Sequence, residues 1–181
     1  LKSFHLWQEN CAKRLNGIFA FGIYDMDNEE LFLCRDRIGV KPLFYSCSRQ
    51  QFAFASRIDS LLKIDGIEPI CDEHGLNEIF MLGPAKTIGK TPFRDILELE
   101  PAHYLYYKKG KIKKGCYWRL EAKDFTDNMS QAQEHTHFLV TDAIKRQLVS
   151  DVPICTFLSG GLDSSIISRV ASDYMNDRGA V

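Results

Sequence analysis

Residues 156–165 read TFLSGGLDSS. A short apolar run leads into this stretch and an amphipathic run leads out. Its glycines therefore fall where a strand should end and a helix begin. Glycine lets backbone N–H groups approach a ligand with no side chain in the way. Successive N–H groups in a turn form an anion-binding nest, and a helix start adds unpaired donors with a positive partial charge. Ser159, Ser164 and Ser165 place hydroxyls around the same centre. The combination suits phosphate oxygens, although it holds no lysine and so departs from the GxxxxGK[ST] loop. Asp163 would repel a bare phosphate; it makes sense if a divalent cation sits between the two. The plain alternative is that Asp163 caps the helix. At average residue usage the pattern SGGxDS recurs by chance roughly once in a million starts, which sets it apart from an ordinary glycine turn.

Working upstream, ICTFL (154–158) is bounded by Asp151-Val152-Pro153 and by the glycines. That is the pattern of a strand buried on both faces. Before it the spacing predicts a helix over 130–149, with Leu139, Val140, Ala143, Ile144 and Leu148 on one stripe and Lys145 and Arg146 opposite. Downstream, Ile166, Ile167, Val170, Ala171 and Tyr174 form a second helical stripe. Helix, strand, glycine loop, helix is the opening unit of a parallel α/β sheet.

The chain before residue 119 reads differently. Leu6 to Leu15 suits a short helix, broken by Asn16-Gly17. IFAFGIYD (18–25) and LFLCRDR (31–37) flank a turn at Asp27-Asn28 and predict a β-hairpin. LFYSCS (43–48) and QFAFAS (51–56) predict a second one. Ser56 is placed to cap a helix through Leu61 and Leu62, and Asp72 another through Leu76, Ile79 and Phe80 that ends at Gly83-Pro84. ILELEPAHYLYYKKGKIKKGCYW (96–118) reads as three short strands, interrupted by Pro101 and turned at Lys109-Gly110. The polar stretch between 119 and 130 divides an α+β part built on antiparallel sheets from the start of an α/β part.

Composition bounds the function. The 181 residues are 45% apolar and 26% charged, as in ordinary globular proteins. The net charge of −1 gives no electrostatic case for nucleic acid or a membrane surface, and the lysine run at 108–114 reads as a solvated hairpin tip. No apolar run is long enough to cross a bilayer. Cys11, Cys34, Cys47, Cys71, Cys116 and Cys155 show no metal-ligand spacing. They read as reduced thiols of a cytoplasmic protein, with Cys34 and Cys155 in apolar, strand-like runs. His135 and His137 are two apart on a predicted helix and cannot share a metal ion.

SGGLDSS resembles the pyrophosphate-binding loop of the N-type ATP pyrophosphatases, and RQLVSDVPICTFLSGGLDSSIIS (146–168) resembles the start of the synthetase domain of glutamine-hydrolysing asparagine synthetases. LNGIFAFGIYD (15–25), CRDRIGVKPLFY (34–45), FASRIDSLL (54–62) and ELEPAHYLYYKKGKIKKGCYW (98–118) are similar to segments of the glutamine amidotransferase domain of the same proteins, in the same order. The resemblance implies an N-terminal-nucleophile amidotransferase part over 1–122 and the start of a parallel-sheet ATP-pyrophosphatase domain over 123–181. It implies ATP and Mg²⁺ as cofactors, and glutamine and aspartate as further substrates. Glutamine would be hydrolysed to ammonia, aspartate adenylated to β-aspartyl-AMP with release of pyrophosphate, and AMP displaced to give asparagine. By the same resemblance Leu158, Ser159, Gly160, Gly161, Leu162, Asp163, Ser164 and Ser165 would hold the nucleotide, with Asp163 near the metal. A homodimer is implied by the family and indicated by no feature of the sequence.

The family's glutaminase nucleophile is a first-residue cysteine, whereas residue 1 here is Leu. The expectation is an internal piece of a longer amidotransferase that has neither activity by itself. Asp36 and Arg37 in CRDRIGVKP are read as structural pairing and turn formation rather than chemistry. Two other readings stay open: a related synthetase acting on another carboxylate, of the β-lactam-forming or peptide-modifying kind, and a non-catalytic binding or assembly module.

Overall fold

The computed structural model describes residues 1–48, 51–83 and 87–177. Two units emerge, Leu1–Glu121 and Ala122–Val181.

The first unit grows from tight hairpins. Asp25 ends β1 (Ala20–Asp25) and organises the turn: its carboxylate accepts the N–H groups of Asp27 and Asn28, each at 3.0 Å, and the Asn28 amide at 2.9 Å. The chain returns as β2 (Glu30–Arg35), paired antiparallel from Ala20↔Arg35 to Asp25↔Glu30. β3 (Phe44–Cys47) and β4 (Phe52–Ala55) form the second hairpin, and β5 (Leu97–Glu98) pairs with the other side of β3. β6 (His103–Lys108) and β7 (Lys111–Cys116) turn at Lys109 and Gly110, both at positive φ, as the twist of a two-residue hairpin loop requires. The result is a four-stranded sheet β1-β2-β6-β7 and a three-stranded sheet β4-β3-β5, each antiparallel throughout.

Alternation along β2 and β3 explains how these sheets stack. Phe32 and Cys34 face Phe4 and Ala12 of the first helical segment, while Leu33 faces the other way. Leu33 and Leu105 then meet Leu43, Tyr45 and Leu99 between the two sheets. Phe44, on the opposite face of β3 from Tyr45, packs with Leu61, Ile67 and Ile96. The layers run helix, sheet, sheet, helix. The strands and helices that build these clusters all lie within the first unit.

Several expectations need correction. The helix expected over Leu6–Leu15 is broken into α1 (Lys2–Trp7), a 3-10 turn (Gln8–Asn10) and α2 (Cys11–Arg14). The bend at Gln8, φ 48°, lets both Phe4 and Ala12 pack against Phe32. Ser56 does not cap α3 (Ile58–Leu61): Arg57 occupies the cap position, no side chain caps there, and its guanidinium is bound to Asp59. Asp72 does cap α4 (Glu73–Leu82), accepting the Gly75 N–H at 3.0 Å. Gly83 ends α4, and Pro84 lies outside the described residues, as does the 49–50 tip of the second hairpin.

The second unit holds α5 (Met129–Gln147) and α6 (Leu162–Asn176). α5 starts on a reciprocal capping box, Asn128 with Gln131, both bonds 3.0 Å. The strand expected at 154–158 is not formed, since among the described residues no neighbouring strand supplies a ladder for it. Cys155 is consequently exposed, not buried, and Phe157 is 91% exposed. The apolar stripe expected on α5 is likewise uncovered: α5 buries no residue and α6 buries Ala171. A stripe is buried only where something packs on it, and the contacts between α5 and α6 cover a small part of each.

Candidate functional site

The glycine loop sits at the start of α6, and its backbone geometry follows from its residue types. Gly160 has φ +84°, a conformation that a side chain would strain, and a Cβ built there meets open space. Gly161 is the N-cap, and no side chain caps the helix. The first intrahelical bond runs from the Ser165 N–H to the Gly161 carbonyl at 3.1 Å. The N–H groups of Leu162, Asp163 and Ser164 therefore have no intrahelical acceptor. They lie at the positive end of a 15-residue helix.

The hydroxyls do something the sequence did not reveal. Ser164 Oγ donates to the Gly161 carbonyl at 3.0 Å and accepts the Ser159 N–H at 3.3 Å. Ser159 Oγ lies 3.0 Å from Ser164 Oγ, and Ser165 Oγ donates to the same Gly161 carbonyl at 2.8 Å. A hydroxyl has one proton. With the Ser164 proton on Gly161, the Ser159 hydroxyl must donate to Ser164. All three hydroxyl protons are thus engaged inside the loop, and the open donors are backbone amides.

The structure brings together Ser159, Gly161, Ser164 and Ser165, with Gly160 as the hinge between them. Leu158 and Leu162 flank the loop with their side chains 67% and 78% exposed. Asp163 stands in the first turn of α6 and is not its cap, so its carboxylate is not consumed by the backbone. Among the described residues no group of three or more His, Cys, Asp or Glu side chains gathers to hold a metal. A lone carboxylate beside open amides fits Mg²⁺ held chiefly by phosphate oxygens, the usual division of ligands for that ion. An apolar groove of about 780 Å³ between α5 and α6 adjoins the loop at Ser165.

In the first unit the loop after β2 shows a different economy. Arg35 donates to the carbonyls of Lys41, Leu99 and Gly39 at 2.6, 2.6 and 2.7 Å and pairs with buried Glu98 at 2.9 Å. The buried carboxylate of Asp36 accepts the N–H groups of Ile38, Val40 and Lys41. Burial pushes its carboxyl up, but those amides and that of Gly39 pull it down by more, leaving it below the usual carboxylate range. Asp36 is thus a turn organiser, as expected. Arg37 donates to the Lys13 carbonyl at 3.0 Å. The ion pair falls to Arg35 and Glu98, which sequence reasoning missed because they are 63 positions apart in the chain. Burial drives the Cys34 thiol up to about 12 and raises that of Cys11, so neither is a ready nucleophile.

Residues 1–118 match the glutamine amidotransferase domain family and residues 135–179 the asparagine synthase family. Over 99% of its length the chain is 45% identical to asparagine synthetase [glutamine-hydrolyzing] 3 of Bacillus subtilis, covering 29% of that protein. It is 32% identical to putative asparagine synthetase [glutamine-hydrolyzing] 2 of Methanocaldococcus jannaschii, over 96% of the chain and 34% of the relative. Amidase chry2 of Gibberella zeae is 30% identical over 87% of the chain and 24% of the relative. The chain spans about a third or less of the length of these curated relatives. With an antiparallel two-sheet unit under the first match and a glycine loop under the second, the chain belongs to the glutamine amidotransferase domain family, followed by a segment that matches the asparagine synthase family.

Proposed function

We propose that this chain is part of an ATP-dependent asparagine synthetase, in which residues 1–122 belong to the glutamine amidotransferase domain and 123–181 open the parallel-sheet ATP-pyrophosphatase domain. In the reaction the β-carboxylate of aspartate attacks the α-phosphorus of ATP, pyrophosphate departs, and ammonia from glutamine displaces AMP from β-aspartyl-AMP. Negative charge grows on the departing diphosphate. Donors fixed in advance at that position stabilise the transition state more than the ground state. The amides of Leu162, Asp163 and Ser164 are such donors, and Ser159, Gly161, Ser164 and Ser165 lock the backbone that presents them. Mg²⁺, when bound, neutralises phosphate charge. Asp163 would hold it from the protein side, and Leu158 and Leu162 would border the nucleotide.

The observation that carries this reading is the row of unsatisfied amides at the start of α6 inside the segment matched to asparagine synthase. The test is aspartate-dependent pyrophosphate release from ATP by the intact protein. Asp163→Asn should lower it by at least about a hundredfold, the scale on which loss of one electrostatic stabiliser acts. An unchanged rate would clear the loop of its role. The similarity to a protein named an amidase supports a second reading, a relative acting on another carboxylate. Pyrophosphate release that ignores aspartate but responds to a different carboxylic acid would favour it.

A further inference from the structure

α4 reverses the usual pattern of a surface helix, which turns its apolar stripe to the core. It buries Gly75 and Glu78 and leaves Leu76, Ile79, Phe80, Met81 and Leu82 42–79% exposed. Contacts within the first unit itself fix that orientation. The Glu78 carboxylate accepts the Thr87 N–H at 2.8 Å and the Thr87 hydroxyl at 2.6 Å. Gly75 lies so close to the Pro92 carbonyl that a Cβ built there would collide with it. Rolling α4 about its axis to bury Phe80 would break both Glu78 bonds and bring a larger residue against Pro92. Leu76, Ile79 and Phe80, three and four positions apart, share one side of the helix. Residues 73–82 include no Lys or Arg, so the attraction this side offers is burial of apolar surface, not charge.

We infer that the Leu76–Ile79–Phe80 side of α4 is a docking surface for a later part of the same polypeptide, the synthetase domain beyond residue 181. This rests on the reading of the chain as part of a longer synthetase. The chain spans about a third or less of its curated relatives, so such a protein has ample further chain to cover the helix. Size decides between that occupant and a second copy. A ten-residue helix is about 15 Å long and about 10 Å across, so one side of it offers on the order of 300 Å², against about 800 Å² per partner in a stable complex. That is too little to hold two free molecules together. A tethered domain meets the same patch at an effective concentration of about millimolar, and there a small apolar contact suffices. The consequence is a coupling: the part that releases ammonia is held to the part that consumes it.

The test uses the full-length protein with the photoreactive substitution Phe80→benzoylphenylalanine, prepared as a mixture of isotopically light and heavy chains. After irradiation, mass spectrometry should find residue 80 joined to a position beyond 181 of its own chain. Crosslinks between light and heavy chains would assign the face to a second copy, and crosslinks to positions before Leu1 would assign it to an earlier segment. Either result, or no crosslink to protein, would overturn the inference. Phe80→Asp puts a carboxylate into the contact without touching the Glu78 and Gly75 side that seats the helix. Glutamine-supported asparagine formation should fall at least about tenfold, the weight of one buried phenylalanine. Glutamine hydrolysis and ammonium-supported asparagine formation should stay within about twofold of wild type. Equal losses with glutamine and with ammonium, or no loss with either, would overturn the coupling. A protein that forms the expected crosslink but makes no asparagine would leave the docking surface standing and overturn the synthetase reading.

Discussion

At the scale of single residues, the buried charge of Asp36 is handled by the backbone. Asp36 is 2% exposed, and its carboxylate is met by three N–H groups of its own loop at 3.0–3.2 Å. Gly39 completes that loop at φ +73°, where a Cβ would run into the Arg35 guanidinium and Pro101. Asp36→Asn keeps the size but sets an NH₂ group against a backbone donor. The expected loss is about 1–3 kcal/mol of unfolding free energy, measured by urea titration at neutral pH. The pH dependence has a definite sign. The folded-state carboxyl is held below its unfolded value, so its contribution is fully present above the ordinary carboxylate value of about 3.9 and is lost as pH falls through the depressed folded value. The gap between wild type and Asp36→Asn should therefore narrow on acidification below about pH 4. A gap that is constant from neutral to acid pH would show that the ionised form is not what the loop selects. Asp36 and the glycine loop were recognisable from residue type and spacing because both act on neighbouring backbone. The Arg35–Glu98 pair was not, since only the meeting of β2 with the segment around β5 brings the two groups within 2.9 Å.

Among the elements, caps show where local signals suffice. Asp72 and Ser56 were both assigned as helix caps on the same chemistry. Asp72 accepts the Gly75 N–H; Ser56 stands one residue too early, with Arg57 at the cap of α3. Asp72→Ala should cost about 1 kcal/mol in thermal or urea unfolding. Ser56→Ala should change stability by less than about 0.5 kcal/mol. Equal losses in the two variants would mean that the cap of α3 is misplaced here. Antiparallel strands were legible for a similar reason: each hairpin joins neighbours in sequence, and its turn residues fix the register. The expected strand at 154–158 had no such local partner. Its apolar run describes what it can bury, but a strand exists only through its neighbours.

For the whole molecule, the stretch 119–127 decides the behaviour of the chain. It carries no regular structure, is exposed at nearly every position, and joins Leu1–Glu121 to Ala122–Val181. Brief trypsin treatment should cut first at Arg119 or Lys123, ahead of the many lysines of the β6–β7 hairpin. Mass spectrometry of the first products would check this, and primary cleavage inside β6 or β7 would contradict it. The sequence by itself determined the hairpins, the α4 cap and the place of the glycine loop at the start of a helix. Each depends on residues within a few positions of one another, where backbone geometry and side-chain reach are set locally. Tertiary structure alone decided the helix–sheet–sheet–helix layering and the Arg35–Glu98 pair. It also decided the inward use of the loop hydroxyls and the fate of the 154–158 run. Those depend on which surfaces meet, and a one-dimensional pattern records what a segment could bury without recording what arrives to cover it.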